Sequence, residues 1–138
     1  MNLKNLPAVV TGGGSGMGAV TARMLSGRGA HVAVLDRDID AARKTAQQID
    51  GLALEADVSN AQSVEAALQQ IIDKWGAPRV AVSCAGIAPA SRIVGREGPH
   101  DLDLFQQVIN INLVGTFNVL RLCAGQMAKL EPLSEGGS

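Results

Sequence analysis

Residue type and spacing together point to chemistry in Thr11-Gly12-Gly13-Gly14-Ser15-Gly16-Met17-Gly18. Glycines let a backbone turn with positive φ and remove the Cβ atoms that would hold an anion at a distance. If a helix begins inside this stretch, its first N–H groups lack intrahelical partners and carry partial positive charge, which suits a pyrophosphate. The competing reading is a tight strand-to-helix turn with no ligand. Asp36 lies 18 residues beyond Gly18. A carboxylate there can accept hydrogen bonds from two ribose hydroxyls and repels a 2′-phosphate, which favours NAD over NADP. Neighbouring Arg37 pulls the other way, and an N-cap or surface role is the alternative for Asp36. Asp57 has two open readings: a partner for an adenine amino group with Val58 flanking the ring, or an acid favoured by the dipole of the following helix.

These residues need elements to position them. Ala8 to Thr11 reads as a buried strand running into the glycines. Met17, Val20, Thr21, Met24 and Leu25 recur at helical spacing, giving a helix that ends near Gly27 to Gly29. His31 to Leu35 is a second strand, followed by a helix over Ile39 to Ile49 and a weaker strand at Leu52 to Ala56. Ser59 and Gln62 form a capping box for a helix whose apolar face is Val64, Ala67, Leu68, Ile71, Ile72 and Trp75. Val80 to Val82 is a fourth strand entering Ser83-Cys84-Ala85-Gly86, and Ile87 to His100 reads as a loop. A long helix then spans about Leu102 to Lys129, with Phe105, Val108, Ile109, Asn112, Thr116, Val119, Leu120, Cys123 and Met127 near one side. Asn112 and Gly115 are its weak points and divide it. Glu131 to Ser138 reads as loop. Strands alternating with helices imply right-handed crossovers and a parallel sheet covered on both faces, a Rossmann-type α/β fold forming one domain over residues 1–138.

With 138 residues, 46% of them apolar, the chain can build a core. Twelve basic residues against thirteen acidic ones give no electrostatic footprint for nucleic acid or an anionic membrane. No uninterrupted apolar run reaches the roughly 18 residues of a membrane span, and the N-terminus lacks a signal-peptide layout, so the expected location is cytoplasmic. Cys84 and Cys123 show no metal spacing and read as reduced thiols. His31 and His100 read as surface residues.

Thr11 to Gly18 fits the TGxxxGxG loop of the classical short-chain dehydrogenases/reductases, and the chain resembles that family. Asp57-Val58, Ala85-Gly86 and Asn112-Leu113-Val114-Gly115 follow in the family's order and spacing. Its NNAG motif is Ser83-Cys84-Ala85-Gly86 here, a departure that weakens a sheet-stiffening role for asparagine side chains. The Cys-Ala-Gly-Ile form and the run from Phe105 to Met127 resemble one branch, the type 2 3-hydroxyacyl-CoA dehydrogenases, which use NAD. The resemblance implies that Gly12, Ser15, Gly16, Met17, Gly18, Asp36, Asp57, Val58, Cys84, Ala85 and Gly86 line the cofactor. It implies for Asn112 the role of the tetrad asparagine, whose backbone holds a water at a kink in the long helix. A packing asparagine with a satisfied side chain is the alternative.

The resemblance also implies a catalytic Ser, a Tyr acting as general acid/base, and a Lys four residues after it that lowers the phenol's pKa. The 138 residues contain no tyrosine, so this pair is not among them. The expectation is an N-terminal half, truncated after about four strands, that turns over no substrate alone and leaves its fourth strand as an unpaired apolar edge. For the whole enzyme the resemblance implies hydride transfer between NAD(H) and a secondary alcohol or 3-hydroxyacyl thioester. It also implies a homo-oligomer built on a four-helix bundle that includes the long helix. Other readings are a non-catalytic nucleotide-binding or assembly module, or an NADPH-dependent 3-oxoacyl carrier-protein reductase.

Overall fold

Four strands, β1 (Pro7–Thr11), β2 (His31–Asp36), β3 (Leu52–Glu55) and β4 (Val80–Ser83), form a parallel sheet in the order β3-β2-β1-β4. The structure is a computed structural model and describes residues 2–133. The loop expected over Glu131 to Ser138 is therefore seen only as far as Leu133, and the rest lies outside the described residues. Helices α1 (Gly16–Gly27), α2 (Ile39–Gln48), α3 (Ala61–Trp75), α4 (Leu102–Ile109) and α5 (Thr116–Met127) surround the sheet, and a π-helical segment, Asn110–Gly115, joins the last two. The order of elements and the parallel pairing agree with the Rossmann-type reading.

Side chains along a strand alternate between faces, and the two cores follow that alternation. Ala8, Val10, Val32 and Val34 gather with Ala22 of α1 and Ala42 and Ala46 of α2. Val9, Ala33, Leu35 and Leu54 gather on the other face with Val64, Ala67, Leu68 and Ile71 of α3 and Val119 and Cys123 of α5. β1 is buried along its whole length, as a central strand covered on both faces must be. Beyond β4 no strand pairs with the sheet among the described residues, so β4 is an edge, as expected.

Three local expectations are corrected. The α1 face that meets the sheet is Gly18, Ala19 and Ala22, not the larger residues: Met17, Val20 and Met24 are 80%, 49% and 57% exposed. A helix starting directly off a central strand lies so close to the sheet that only small side chains fit beneath it. The cap of α3 is Asn60, whose side chain accepts from Ser63 N, one residue later than the expected capping box. Ser63 Oγ in turn accepts from Asp57 N at 2.9 Å. The loop after β4 contains a short hairpin, β5 (Val94–Gly95) and β6 (Gly98–Pro99).

The long helix divides where expected, across Asn112 and Gly115. Extra residues in a turn rotate everything downstream relative to a 3.6-residue period, by about 100° per residue inserted. One apolar face therefore cannot run through the whole helix, and Phe105 and Leu120 are 54% and 60% exposed rather than inward. Asn118, absent from the expected face, is buried. Its Nδ2 donates to Val58 O at 2.8 Å, and its Oδ1 accepts from Arg121 Nε and Nη2 at 3.1 and 2.7 Å. The continuous helix Leu102–Met127 has the length and mean hydropathy, 1.3, of a membrane span by composition alone. Scattered polar residues break its apolar runs, which is why run length does not reveal it.

Asn118→Ala leaves the Val58 carbonyl without its buried donor, an expected loss of about 1–3 kcal/mol measured by urea unfolding. Burial pushes the Cys123 thiol up to about 11. As pH rises, the unfolded chain releases that proton first, near the ordinary 9.0. The thiol's contribution is therefore intact below pH 9 and declines from there to about pH 11, by on the order of 2–3 kcal/mol. Unfolding midpoints should fall across that window less steeply in Cys123→Ala, and an unchanged slope would assign the decline to another group.

Candidate functional site

The loop after β1 turns through Gly12 at φ +61° and Gly16 at φ +49°, both in the left-handed region that favours glycine. A Cβ on Gly12 would sit 2.7 Å from Ala85 N, and one on Gly18 would overlap the Gly12 carbonyl oxygen. The backbone thus folds tightly on itself and delivers the start of α1 to the carboxyl ends of the strands. Ser15 occupies the N-cap position, yet its hydroxyl makes no capping bond, and the first turn holds no acidic residue. The unpaired N–H groups and the serine hydroxyl remain available to an anion.

A cleft of about 800 Å³ opens over this helix terminus, large enough for a sizeable organic ligand. Gly12, Ser15, Gly16, Met17, Gly18, Asp36, Asp57, Val58, Cys84, Ala85 and Gly86 all line it. Arg37, weighed beside Asp36 in the sequence, also lines it, whereas sequence reasoning missed Glu55, Ser59 and Ile87 and the wall contributed by Asp103, Gln106, Gln107, Asn110 and Ile111. Gln106, Gln107 and Asn110 share one polar side of α4 and the π segment. Their i, i+1 and i+4 spacing is the sequence signal for that polar side.

Asp36 ends β2 at the cleft. Its Oδ2 accepts from Gly14 N at 2.9 Å and its Oδ1 from Asp38 N at 3.0 Å. It is not the cap of α2, because Asp38 fills that place by accepting from Asp40 N and Ala41 N. Asp57 lies before the Asn60 cap and so outside the first turn of α3. Its Oδ1 accepts from Ser59 N and Oγ at 2.9 and 2.7 Å, and Oδ2 has no hydrogen bond among the described residues. Val58 is buried between the cleft and Gly115, where a Cβ would lie 2.5 Å from Val58 Cγ2.

Asn112 does not line the cleft. Its Nδ2 donates to Ile87 O at 2.8 Å and its Oδ1 accepts from Ile87 N at 2.9 Å, so the side chain clamps the strand-exit loop. Its carbonyl accepts from Thr116 Oγ1 at 2.7 Å. The loop after β4 is held through Thr11. Cys84 N donates to Thr11 O at 3.1 Å, and Ala85 N donates to Thr11 Oγ1 at 3.3 Å. Cys84 and Cys123 are both free. His31 stacks on Trp75 with ring centroids 5.3 Å apart. Among the described residues no cluster of His, Cys, Asp or Glu is placed to hold a metal ion.

A family model described as short chain dehydrogenase matches residues 7–136. The chain belongs to the short-chain dehydrogenase family. It is 43% identical over 140 residues to 3-hydroxyacyl-CoA dehydrogenase type-2 of Bos taurus, an alignment covering 99% of this chain and 53% of the relative. The Homo sapiens protein of the same name is 42% identical over the same coverage. The chain thus spans about half the length of the curated relatives it matches. A solved structure described as ribose-5-phosphate isomerase from Brucella melitensis 16M superposes with a TM-score of 0.84 at 35% identity, covering 92% of this chain and 48% of that one. That description names an isomerase, so the likeness bears on the fold and not on the reaction.

Because the Ser15 hydroxyl caps nothing, Ser15→Ala should change the thermal unfolding free energy by less than about 0.5 kcal/mol, against the ~1 kcal/mol of an ordinary N-cap serine. A full capping loss in differential scanning calorimetry would contradict the geometry of this helix start.

Proposed function

We propose that the chain is the dinucleotide-binding part of an NAD(H)-dependent oxidoreductase acting on a secondary alcohol, with 3-hydroxyacyl thioesters as the substrate class. The observation that carries the reading is the convergence of the uncapped α1 terminus and the Asp36 carboxylate on one cleft. The residues present fit the cofactor. The loop glycines permit the close backbone approaches that bring the α1 terminus to the cleft, and the α1 N–H groups with Ser15 would hold the pyrophosphate there. Asp36 would accept from the adenosine ribose hydroxyls, Asp57 and Val58 would border the adenine, and Ala85 and Gly86 would border the nicotinamide ribose. NAD supplies a hydride acceptor when bound, and these residues bind and orient it. The thioester class rests on relatives named 3-hydroxyacyl-CoA dehydrogenase type-2.

Proton transfer by a tyrosine lies outside these residues, since the 138 contain none. The relatives are about twice as long, and the proposal places the acid/base pair in the part of the enzyme that this chain does not match. Asn112 contributes by holding Ile87 at the cleft. The exposed apolar stripe of Leu113, Phe117 and Leu120 suits a second copy of the chain. A second reading, NADP(H), is favoured by Arg37 on the cleft wall beside Asp36.

Calorimetric titration of the chain with NADH and NADPH separates these readings. The expected result is saturable NADH binding, weakened at least roughly tenfold by Asp36→Ala through loss of charge-assisted hydrogen bonds. Equal or tighter NADPH binding would shift the reading to NADP(H), and no binding by folded protein would remove it.

A further inference from the structure

The turn after β3 carries Asp57, Val58 and Ser59 to the cleft, and one of its peptide groups is held at both ends. Asn60 N donates to Asp57 O at 3.0 Å, which closes the turn. Within it lies the Val58–Ser59 peptide. Its N–H, on Ser59, donates to Asp57 Oδ1 at 2.9 Å. Its carbonyl, on Val58, accepts from Asn118 Nδ2 at 2.8 Å. A peptide group is planar, so its N–H and C=O turn together, and a partner that fixes one fixes the other.

The Asn118 amide is itself oriented. It is 5% exposed, and Arg121 donates to its Oδ1 through Nε at 3.1 Å and Nη2 at 2.7 Å. A guanidinium only donates, so the amide oxygen must face Arg121 and the amide nitrogen must face Val58. Gly115 completes the grip, because a Cβ there would lie 2.5 Å from Val58 Cγ2.

We propose that Asn118, oriented by Arg121, is a positioning residue for the Asp57 carboxylate. It acts through the Val58–Ser59 peptide. With that peptide fixed, Ser59 N and Oγ hold Oδ1, and Oδ2 is left to a donor in the cleft. Without Asn118 the peptide turns to bring its carbonyl to water, Ser59 N leaves Oδ1, and the carboxylate loses its set direction. Neither Asn118 nor Arg121 lines the cleft, so any effect on a ligand passes through the turn. The inference rests on the dinucleotide reading above, in which Asp57 borders the adenine and the donor is the adenine amino group.

The test is titration of wild type, Asn118→Ala, Arg121→Met and Asp57→Ala with two ligands, together with a thermal melt of each protein. The ligands are NADH and reduced nicotinamide hypoxanthine dinucleotide, which has an oxo group in place of the adenine amino group. Wild type should bind NADH roughly tenfold more tightly than the hypoxanthine analogue, and Asp57→Ala should abolish that preference. Asn118→Ala should remove most of the preference by weakening NADH alone. A folded Asn118→Ala chain with the wild-type ratio overturns the proposal, and so does an equal loss of both ligands, which marks a merely structural asparagine. If Asn118→Ala does not fold, Arg121→Met, at an exposed position, decides by the same ratio. Wild type that binds both ligands equally removes the amino-group contact and this inference but leaves the dinucleotide reading. Wild type that binds neither overturns both.

Discussion

The cleft depends on how closely two stretches of backbone approach beyond the ends of β1 and β4. Thr11 and Ser83 are partners in the parallel register, so the segments that follow them leave the sheet side by side. Gly12 lies so near Ala85 that a Cβ would fall inside contact distance, and Gly18 comes back over the Gly12 carbonyl. Only hydrogen in place of a side chain permits both approaches. Their result is a helix terminus, with unpaired N–H groups and positive partial charge, aimed across the strand ends. Any side chain at either position would lift α1 and carry that terminus away from Asp36, Asp57 and Gly86.

The opposite wall is held by side-chain amides. Asn112 takes both backbone hydrogen-bonding groups of Ile87, and Asn118 takes the Val58 carbonyl. The π segment, Asn110–Gly115, contains the first of those asparagines and ends three residues before the second. Had α4 continued as regular helix, residues 112 and 118 would stand about 240° apart around the axis, because six steps of about 100° exceed one turn. The wider π turn changes that angle, and Gly115 removes the side chain that would strike Val58. One irregularity thus lets a single long helix grip the exit of β4 and the exit of β3 together.

The parallel sheet, the strand positions, the glycine loop and Asp36 were legible because they rest on local signals, whereas Cys84, Ala85 and Gly86 were expected only through the family resemblance. Runs of apolar residues at strand length, glycines at a strand end and an acid closing the next strand each need only a few neighbouring residues to be read. Inward faces were less legible. Periodicity reports that α1 has a large apolar side, but depth of approach to the sheet decides which side turns in, and that depth is set by Gly12 and Gly18 through space. The π segment could be located from Asn112 and Gly115, yet its effect on the downstream face needs coordinates. Asn118 was illegible for a related reason, since its partner, the Val58 carbonyl, carries no side-chain signature and lies 60 residues away.

The small-residue rule also explains where the large apolar side chains went. Under α1 the sheet admits Gly18, Ala19 and Ala22, so Met17, Val20 and Met24 face out. Along α4 and the π segment wall positions go to Gln106, Gln107 and Asn110, and Leu113, Phe117 and Leu120 are exposed at spacings of four and three residues. Those spacings place them along one side of a helix. Single exposed apolar residues need no account, but a stripe of this kind is what the proposed second copy of the chain would cover. The residues that bring α1 to the cleft therefore also decide which of its side chains face outward: enlarging Gly18, Ala19 or Ala22 would displace that helix from the sheet.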